Sequence, residues 1–331
     1  MQDESLLATG VQVFVAFLLA GLGNVGAGLL LDSVKQWTSF IALPELFVLV
    51  PSLLGLKGNL EMTMAARLST QANLGNTDDL RKALKMAEGN LCLIQCQATV
   101  VAFLASMIAI SGTFFRQGND FDLDSALILC ASSLITANIA CLILGVCMVF
   151  VIIASNRLSI DPDNIATPIA ASLGDVITLS LLAAFAQLIF NHTVPFTFPG
   201  LAVAIIVFFL ALLPLWFYLA YSNEYSREVV TSGWSPVIMA MIISSGGGFI
   251  LDYAGNRFER FAMFQPVVNG VGGNLVAVQA SRLSTFLHRQ GKPGQMPLGH
   301  SVFTSPFKAF FAKQGKPYLQ DNLLIYMFLL I

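Results

Sequence analysis

Charge is what this sequence has least of. Asp, Glu, Lys and Arg make up 11% of its 331 residues, against about 25% in a soluble domain. Hydrophobic residues make up 56%. A water-soluble fold of this length cannot hide so much apolar surface, so lipid is the expected solvent. The net charge is -2, and no basic block exists to grip nucleic acid. There are only three histidines, His192, His288 and His300, and none lies inside an apolar run, which argues against a histidine metal site or a proton wire. All five cysteines, Cys92, Cys96, Cys130, Cys141 and Cys147, fall in apolar runs without thiolate–metal spacing, and they read as buried structural thiols. The opening MQDESLLATG is acidic and has no positively charged n-region. No small-residue cleavage site follows the apolar run Val11 to Leu31, which reads as a retained span.

Eight runs have roughly the 20 apolar residues a bilayer-crossing helix needs: 11–31, 41–66, 91–111, 125–154, 168–190, 200–221, 233–251 and 261–285. A ninth begins at Asn322 and reaches Ile331. The expected fold class is an all-α polytopic membrane protein. Runs 41–66 and 261–285 contain proline, glycine and polar residues. Such interrupted helices persist only where protein or water satisfies the freed backbone.

Basic residues orient the spans. Arg81, Lys82, Lys85, Arg157, Arg227, Arg289, Lys292, Lys308, Lys313 and Lys316 fall in loops on one side. Lys35, Arg116, Arg257 and Arg260 fall on the other. Ten against four puts the amino terminus in the cytoplasm. The sequon Asn191-His192-Thr193 then lies outside, which agrees with that orientation.

The chain repeats itself. VPSLLGLKGNLEMTMAARLST at 50–70 aligns with QPVVNGVGGNLVAVQASRLST at 265–285, with ten identities in 21 positions. These include Gly55/Gly270, Gly58/Gly273, Asn59/Asn274 and Arg67/Arg282. Upstream, Gly28-Leu29-Leu30-Leu31-Asp32 matches Gly248-Phe249-Ile250-Leu251-Asp252. The chain therefore divides into a stub at 1–10, a five-helix unit at 11–190, a linker at 191–232 carrying the helix 200–221, and a second unit at 233–331. Five helices starting inside end outside. The extra helix returns the chain to the cytoplasm, so both units point the same way, related by an axis along the membrane normal. The alignment Asn322-Leu323-Leu324-Ile325 with Asn90-Leu91-Cys92-Leu93 ends the second unit at the start of its third helix. The expectation is a truncated second repeat.

Asp175 is the sharpest chemical signal. It sits within the apolar ATPIAASLGDVITLSLLAAF, where a carboxylate costs about 2.5–3.5 kcal/mol near the bilayer centre on insertion scales. Ser172, Asp175 and Thr178 recur at spacing three and share a helix face. Oxygen ligands suit hard cations, and magnesium typically binds through one or two carboxylates plus its own waters. Asn59 and Thr63, four apart, share a face and can line the same path. The Gly-x-x-Gly-Asn segments holding Asn59 and Asn274 read equally as helix packing with an interhelical amide bond. The run Gly246-Gly247-Gly248 reads as a packing surface. Lys57 and Glu61 form a candidate intramembrane ion pair absent from the second unit, where Gly272 and Val276 stand. Arg67 is expected to snorkel to the membrane surface. Asp161 and Asp163 would concentrate cations at the cytoplasmic mouth, while Asp163 or Asn164 would equally cap the helix that contains Pro168.

LVPSLLGLKGNLEMTMAARLST, PDNIATPIAASLGDVITLS and GVGGNLVAVQASRLST closely resemble the eukaryotic MgtE-like magnesium transporters, solute carrier family 41, over nearly all of 11–290. The resemblance implies tandem MgtE-type transmembrane helical repeats. It implies magnesium as transported substrate, with cation-coupled efflux driven by a monovalent cation such as sodium, and no prosthetic group. The implied membrane is the plasma membrane, with a mitochondrial alternative. By motif match, Asp175 is the pore carboxylate of the fifth helix, and Asn59 and Asn274 are equivalent pore-helix positions. The missing second Gly-Asp helix leaves an alternative, a truncated, non-transporting isoform or fragment that pairs with and regulates a full-length copy. An intramembrane aspartyl protease fits poorly. Ser172-Leu173-Gly174-Asp175 lacks the first glycine of Gly-x-Gly-Asp, and Asp32 and Asp252 sit at helix ends. The expected protein is not an enzyme.

Overall fold

The structure is a computed structural model that describes residues 6–77, 79–117, 122–158, 162–193, 199–258 and 260–270, together with Gly273. Every regular element among them is helical: α1 (Leu6–Val34), α2 (Thr38–Ala42), α3 (Glu45–Leu56), a π-turn (Lys57–Glu61), α4 (Met62–Asn73), α5 (Leu80–Gln117), α6 (Leu123–Arg157), α7 (Pro162–Thr193), α8 (Gly200–Ser222), α9 (Arg227–Ser232) and α10 (Trp234–Arg257). Residues 261–270 are also helical. Five helices among the described residues are long and apolar enough to cross a membrane: Leu80–Gly112, Leu123–Arg157, Leu173–Thr193, Gly200–Ser222 and Trp234–Gly255. Helix α5, at 38 residues, measures about 57 Å at 1.5 Å per residue, well beyond a ~30 Å hydrocarbon core.

The run 41–66 breaks as its composition predicts. Pro51 lies inside α3, and the five-residue π-turn separates α3 from α4. A π-turn inserts an extra residue per turn and is common at functional sites. Here the irregular backbone is tolerated because the surrounding chain is protein rather than lipid. Most of α3 is buried, and it packs on α5, α6, α7 and α10. Thr63 Oγ1 donates to the carbonyls of Asn59 (2.6 Å) and Leu60 (3.0 Å), which occupies carbonyls beside the π-turn.

α1 and α7 run parallel. Gly26 faces Val176 near their middles. Farther along, Gln187 Oε1 accepts from the Ser39 amide (3.2 Å) and Gln187 Nε2 donates to Thr38 Oγ1 (2.8 Å). On α1 the buried face is Ala20, Asn24, Ala27, Leu31 and Val34, while Leu18, Leu22, Val25 and Leu29 are exposed. This is the 3.6-residue period with an apolar outward face, as lipid contact demands. Helix α8 is exposed along most of its length, with only Ala202 and Ala220 buried. Its end is tied to α5 by Asn223, whose Nδ2 donates to the Lys85 carbonyl (2.8 Å), and by Lys85 Nζ to Glu224 Oε1 (3.0 Å).

Between α5 and α6 runs a hydrogen-bonded polar seam. Thr99 Oγ1 donates to Asn138 Oδ1 (2.9 Å), Gln95 Nε2 to the Asn138 carbonyl (3.0 Å), and Ser133 Oγ to the Ala102 carbonyl (2.9 Å). Interhelical bonds of this kind contribute about 0.6 kcal/mol on average in lipid, with a maximum of about 1.7. A double-mutant cycle on Thr99→Val and Asn138→Leu, read by thermal unfolding in detergent, is expected to give a coupling inside that range. A coupling near zero would remove the seam as a specific joint.

Four close approaches join the amino-terminal helices to the region after 233. An alanine carbon at Gly28 would lie 2.1 Å from the Met263 carbonyl oxygen, and one at Gly248 would lie 2.2 Å from the Val48 carbonyl oxygen. One at Gly55 would lie 2.5 Å from Ser244 Oγ, and one at Gly270 would lie 2.0 Å from Asn24 Nδ2. Residues 28 and 248, and 55 and 270, are equivalent in the sequence alignment, and extending the same offsets of 220 and 215 residues just beyond the aligned blocks pairs 24 with 244 and 48 with 263. Each contact thus has a partner contact made by the equivalent residues in exchanged roles.

Candidate cation-pathway site

Asp175 lies on the buried face of α7. Its exposure is 0%, and Thr178, Leu179, Leu182, Ala186 and Ile189 continue the same face. Leu173 and Leu188 point outward. The spacing that places Asp175 and Thr178 together in sequence therefore also brings them to one side of the helix. The side chain of Ser172 lies outside the described residues. α7 packs against α1, α4, α6 and the π-turn, so the carboxylate belongs to the interior of the bundle, not its lipid surface.

A cavity of about 180 Å³ lies where the broken helix meets α10, Asn269, Gly270 and Gly273. It is lined by Leu54, Gly55, Gly58, Asn59, Met62, Ser244, Asn269, Gly270 and Gly273. Three pairs in that lining are repeat equivalents: Leu54/Asn269, Gly55/Gly270 and Gly58/Gly273. The glycines divide into two kinds. Gly55 and Gly270 have a polar side chain pressed on them, whereas a β-carbon at Gly58 or Gly273 would meet nothing within 4 Å among the described residues. The second kind opens space instead of closing it. Asn59, half-buried, lines the cavity. Thr63 is exposed and its hydroxyl is engaged by its own helix. Asn274, the repeat equivalent of Asn59, lies outside the described residues.

Other expectations meet mixed outcomes. Glu61 is buried in the π-turn, which packs against α5, α6 and α7; the Lys57 side chain, its expected partner, is outside the described residues. Arg67 does not extend simply to the surface, since its Nε donates to Asn90 Oδ1 of α5 (3.0 Å). Cys92, Cys96, Cys130 and Cys141 are buried and Cys147 is half-buried, all as free thiols. In the run Gly246-Gly247-Gly248 only Gly248 meets a neighbour. The sequon sits in the last turn of α7 rather than in a loop, with Asn191 Oδ1 accepting from Gln187 Nε2 (2.8 Å). That helical setting weakens it as an orientation marker. Among the described residues no three His, Cys, Asp or Glu side chains gather to hold a metal ion. Sequence reasoning missed Asn24, which lies fully buried on the inner face of α1. The signal was available: it is the polar residue among Ala20, Ala27 and Leu31 on the buried stripe.

The sequence profile of a family described as a divalent cation transporter matches residues 50–185, which include the broken helix and Asp175. Solute carrier family 41 member 2 of Xenopus laevis is 49% identical over 296 residues, covering 89% of this chain and 52% of that protein. The human member 2 is 47% identical over 313 residues, covering 94% of this chain and 54% of that protein. Member 3 of Rattus norvegicus is 46% identical over 298 residues, covering 89% and 63% respectively. The chain thus spans about half the length of the first of these relatives. No solved structure matches it significantly. Nearly half of its residues are shared along almost its whole length, and the matched profile runs from inside the broken helix into the Asp175 helix, so the chain is closely similar to members 2 and 3 of solute carrier family 41.

Proposed function

We propose that this chain conducts magnesium across a membrane, along a path between two equivalent helical units, with Asp175 as the carboxylate that attracts and partly binds the ion. The observation that carries this is the fully buried Asp175 on the inward face of a membrane-length helix. A group so expensive to bury near the bilayer centre is ordinarily retained for a cavity or an ion. Thr178 adds a neutral oxygen on the same face, and Asn59 adds an amide at the cavity between the units. Ser172, Asn274 and Thr63 are assigned to the same path by motif and spacing alone.

The reciprocal glycine contacts support the reading of two copies of one unit. Random packing has no reason to pair Gly28 with Met263 and also pair their equivalents, Gly248 with Val48. Parallel copies exchange such contacts across an axis along the membrane normal, and the cavity lined in equivalent pairs would then lie close to that axis. The resemblance adds the finer reading of cation-coupled efflux with a monovalent counter-ion at the plasma membrane, and the ten-to-four bias of basic residues adds an amino terminus in the cytoplasm.

The test is reconstitution. Proteoliposomes holding this chain and a magnesium-sensitive dye are expected to show a flux well above that of protein-free liposomes, steeper under an opposing sodium gradient. A flux equal to the protein-free background would overturn the transport reading for this chain. A flux indifferent to sodium would overturn only the coupling.

A further inference from the structure

We infer that Asn24 and Ser244 are a matched pair of pathway residues, one from each first helix, that present neutral polar atoms to the water shell of a hydrated divalent cation. The inference deepens the proposed cation path and rests on it.

Three observations carry it. Asn24 is 0% exposed, and neither its Oδ1 nor its Nδ2 has a hydrogen-bond partner among the described residues. Burying an unsatisfied amide atom costs about 1–3 kcal/mol, so a leucine at this place on an apolar stripe would pack better. Next, the amide lies directly on Gly270, a cavity-lining residue whose missing β-carbon gives it room. Finally, the equivalent residue in the other unit is also polar. Ser244 lies on Gly55 in the same manner, and Ser244 itself lines the cavity. Two first helices thus each hold a polar group over a glycine of the opposite unit, at the edge of one cavity.

The height also fits. Gly26, two residues from Asn24, faces Val176, the neighbour of Asp175. α1 and α7 run parallel, so Asn24 lies near the level of the carboxylate along the bundle. Magnesium gives up its waters reluctantly, and those waters are strong hydrogen-bond donors. An amide oxygen and a hydroxyl oxygen can accept from that shell without stripping it. Neutral acceptors hold the ion weakly enough to release it, while Asp175 supplies the charge.

The test uses the whole chain in proteoliposomes with a magnesium-sensitive dye. Asn24→Leu is expected to cut the flux at least about tenfold, equivalent to ~1.4 kcal/mol, with a melting temperature in detergent equal to or above the parent. Asn24→Ser, which copies the residue of the other unit, is expected to keep most of the flux. Full flux in Asn24→Leu, with Asp175→Asn inactive, overturns the inference and leaves the cation path standing. A second readout does not depend on flux. With the five native cysteines replaced, Asn24→Cys and Asn59→Cys are each exposed to a positively charged thiosulfonate reagent. Labelling at both sites, slowed by magnesium, is the expected result. Labelling at 59 without labelling at 24 overturns the inference alone. No labelling at either overturns the path itself and the inference with it.

Discussion

Asp175→Asn is expected to lower magnesium flux by more than about a hundredfold while leaving the protein as stable as before, or more so. The first half follows from charge. Two unit charges 4 Å apart interact by roughly 4 kcal/mol at an effective dielectric near 20, and a dication doubles that. Each ~1.4 kcal/mol is a factor of ten, so a hundredfold loss asks for only part of the attraction, as befits an ion seen through its waters. The second half follows from burial. Asp175 is fully enclosed, and ionised carboxylates are costly at that depth. Asparagine keeps the shape and removes the charge. Flux from reconstituted protein and thermal unfolding in detergent check the two halves separately. A variant that unfolds tens of degrees early would recast Asp175 as a structural group, and one with undiminished flux would remove it from the path.

Gly248→Ala and Gly28→Ala are expected to be the most destabilising alanine substitutions at glycine in α1 and α10. The added carbons would sit 2.2 Å from the Val48 carbonyl oxygen and 2.1 Å from the Met263 carbonyl oxygen. Both obstacles are backbone, which cannot swing aside as a long side chain can. Overpacking typically costs 1–3 kcal/mol, and the upper end, about 3 kcal/mol, is expected here. At ~2–4 °C per kcal/mol for a large domain, each variant should melt roughly 6–12 °C below the parent. Gly246→Ala and Gly247→Ala are the controls. No atom lies within 4 Å of a carbon placed there, and alanine is favoured over glycine in a helix by about 1 kcal/mol. They should be neutral or stabilising. The 28 and 248 variants should also behave alike, because their contacts are equivalent. A large effect at one and none at the other would break the reciprocity that underlies the two-unit reading.

Much of the architecture is legible without coordinates. The apolar runs 91–111, 125–154, 168–190, 200–221 and 233–251 fall on the five membrane-length helices because span length and composition are local properties. The break in 41–66 is legible because Pro51 and the glycines near Asn59 disfavour a continuous ladder. That Asp175 and Thr178 share a buried face follows from a spacing of three on a helix. Where the reading from sequence stops short, a non-local fact decides. Thr63 shares the spacing of a pathway residue with Asn59, yet its hydroxyl turns back to its own backbone. Three consecutive glycines look alike in sequence, but only Gly248 meets another chain segment. Arg67 finds Asn90 across a helix pair, which hydropathy cannot anticipate.

The sequence by itself determines that this is a helical membrane chain closely resembling solute carrier family 41, that its two glycine-rich blocks align, and that Asp175 stands inside an apolar helix. Those properties are carried by residue type and spacing. The tertiary structure alone decides which glycines join segments and which open a cavity, because that depends on what stands opposite each missing β-carbon. It alone turns Asn24 from one polar residue in an apolar run into a buried amide over Gly270, matched by Ser244 over Gly55. Partnership between distant segments is a property of packing, and no local pattern encodes it.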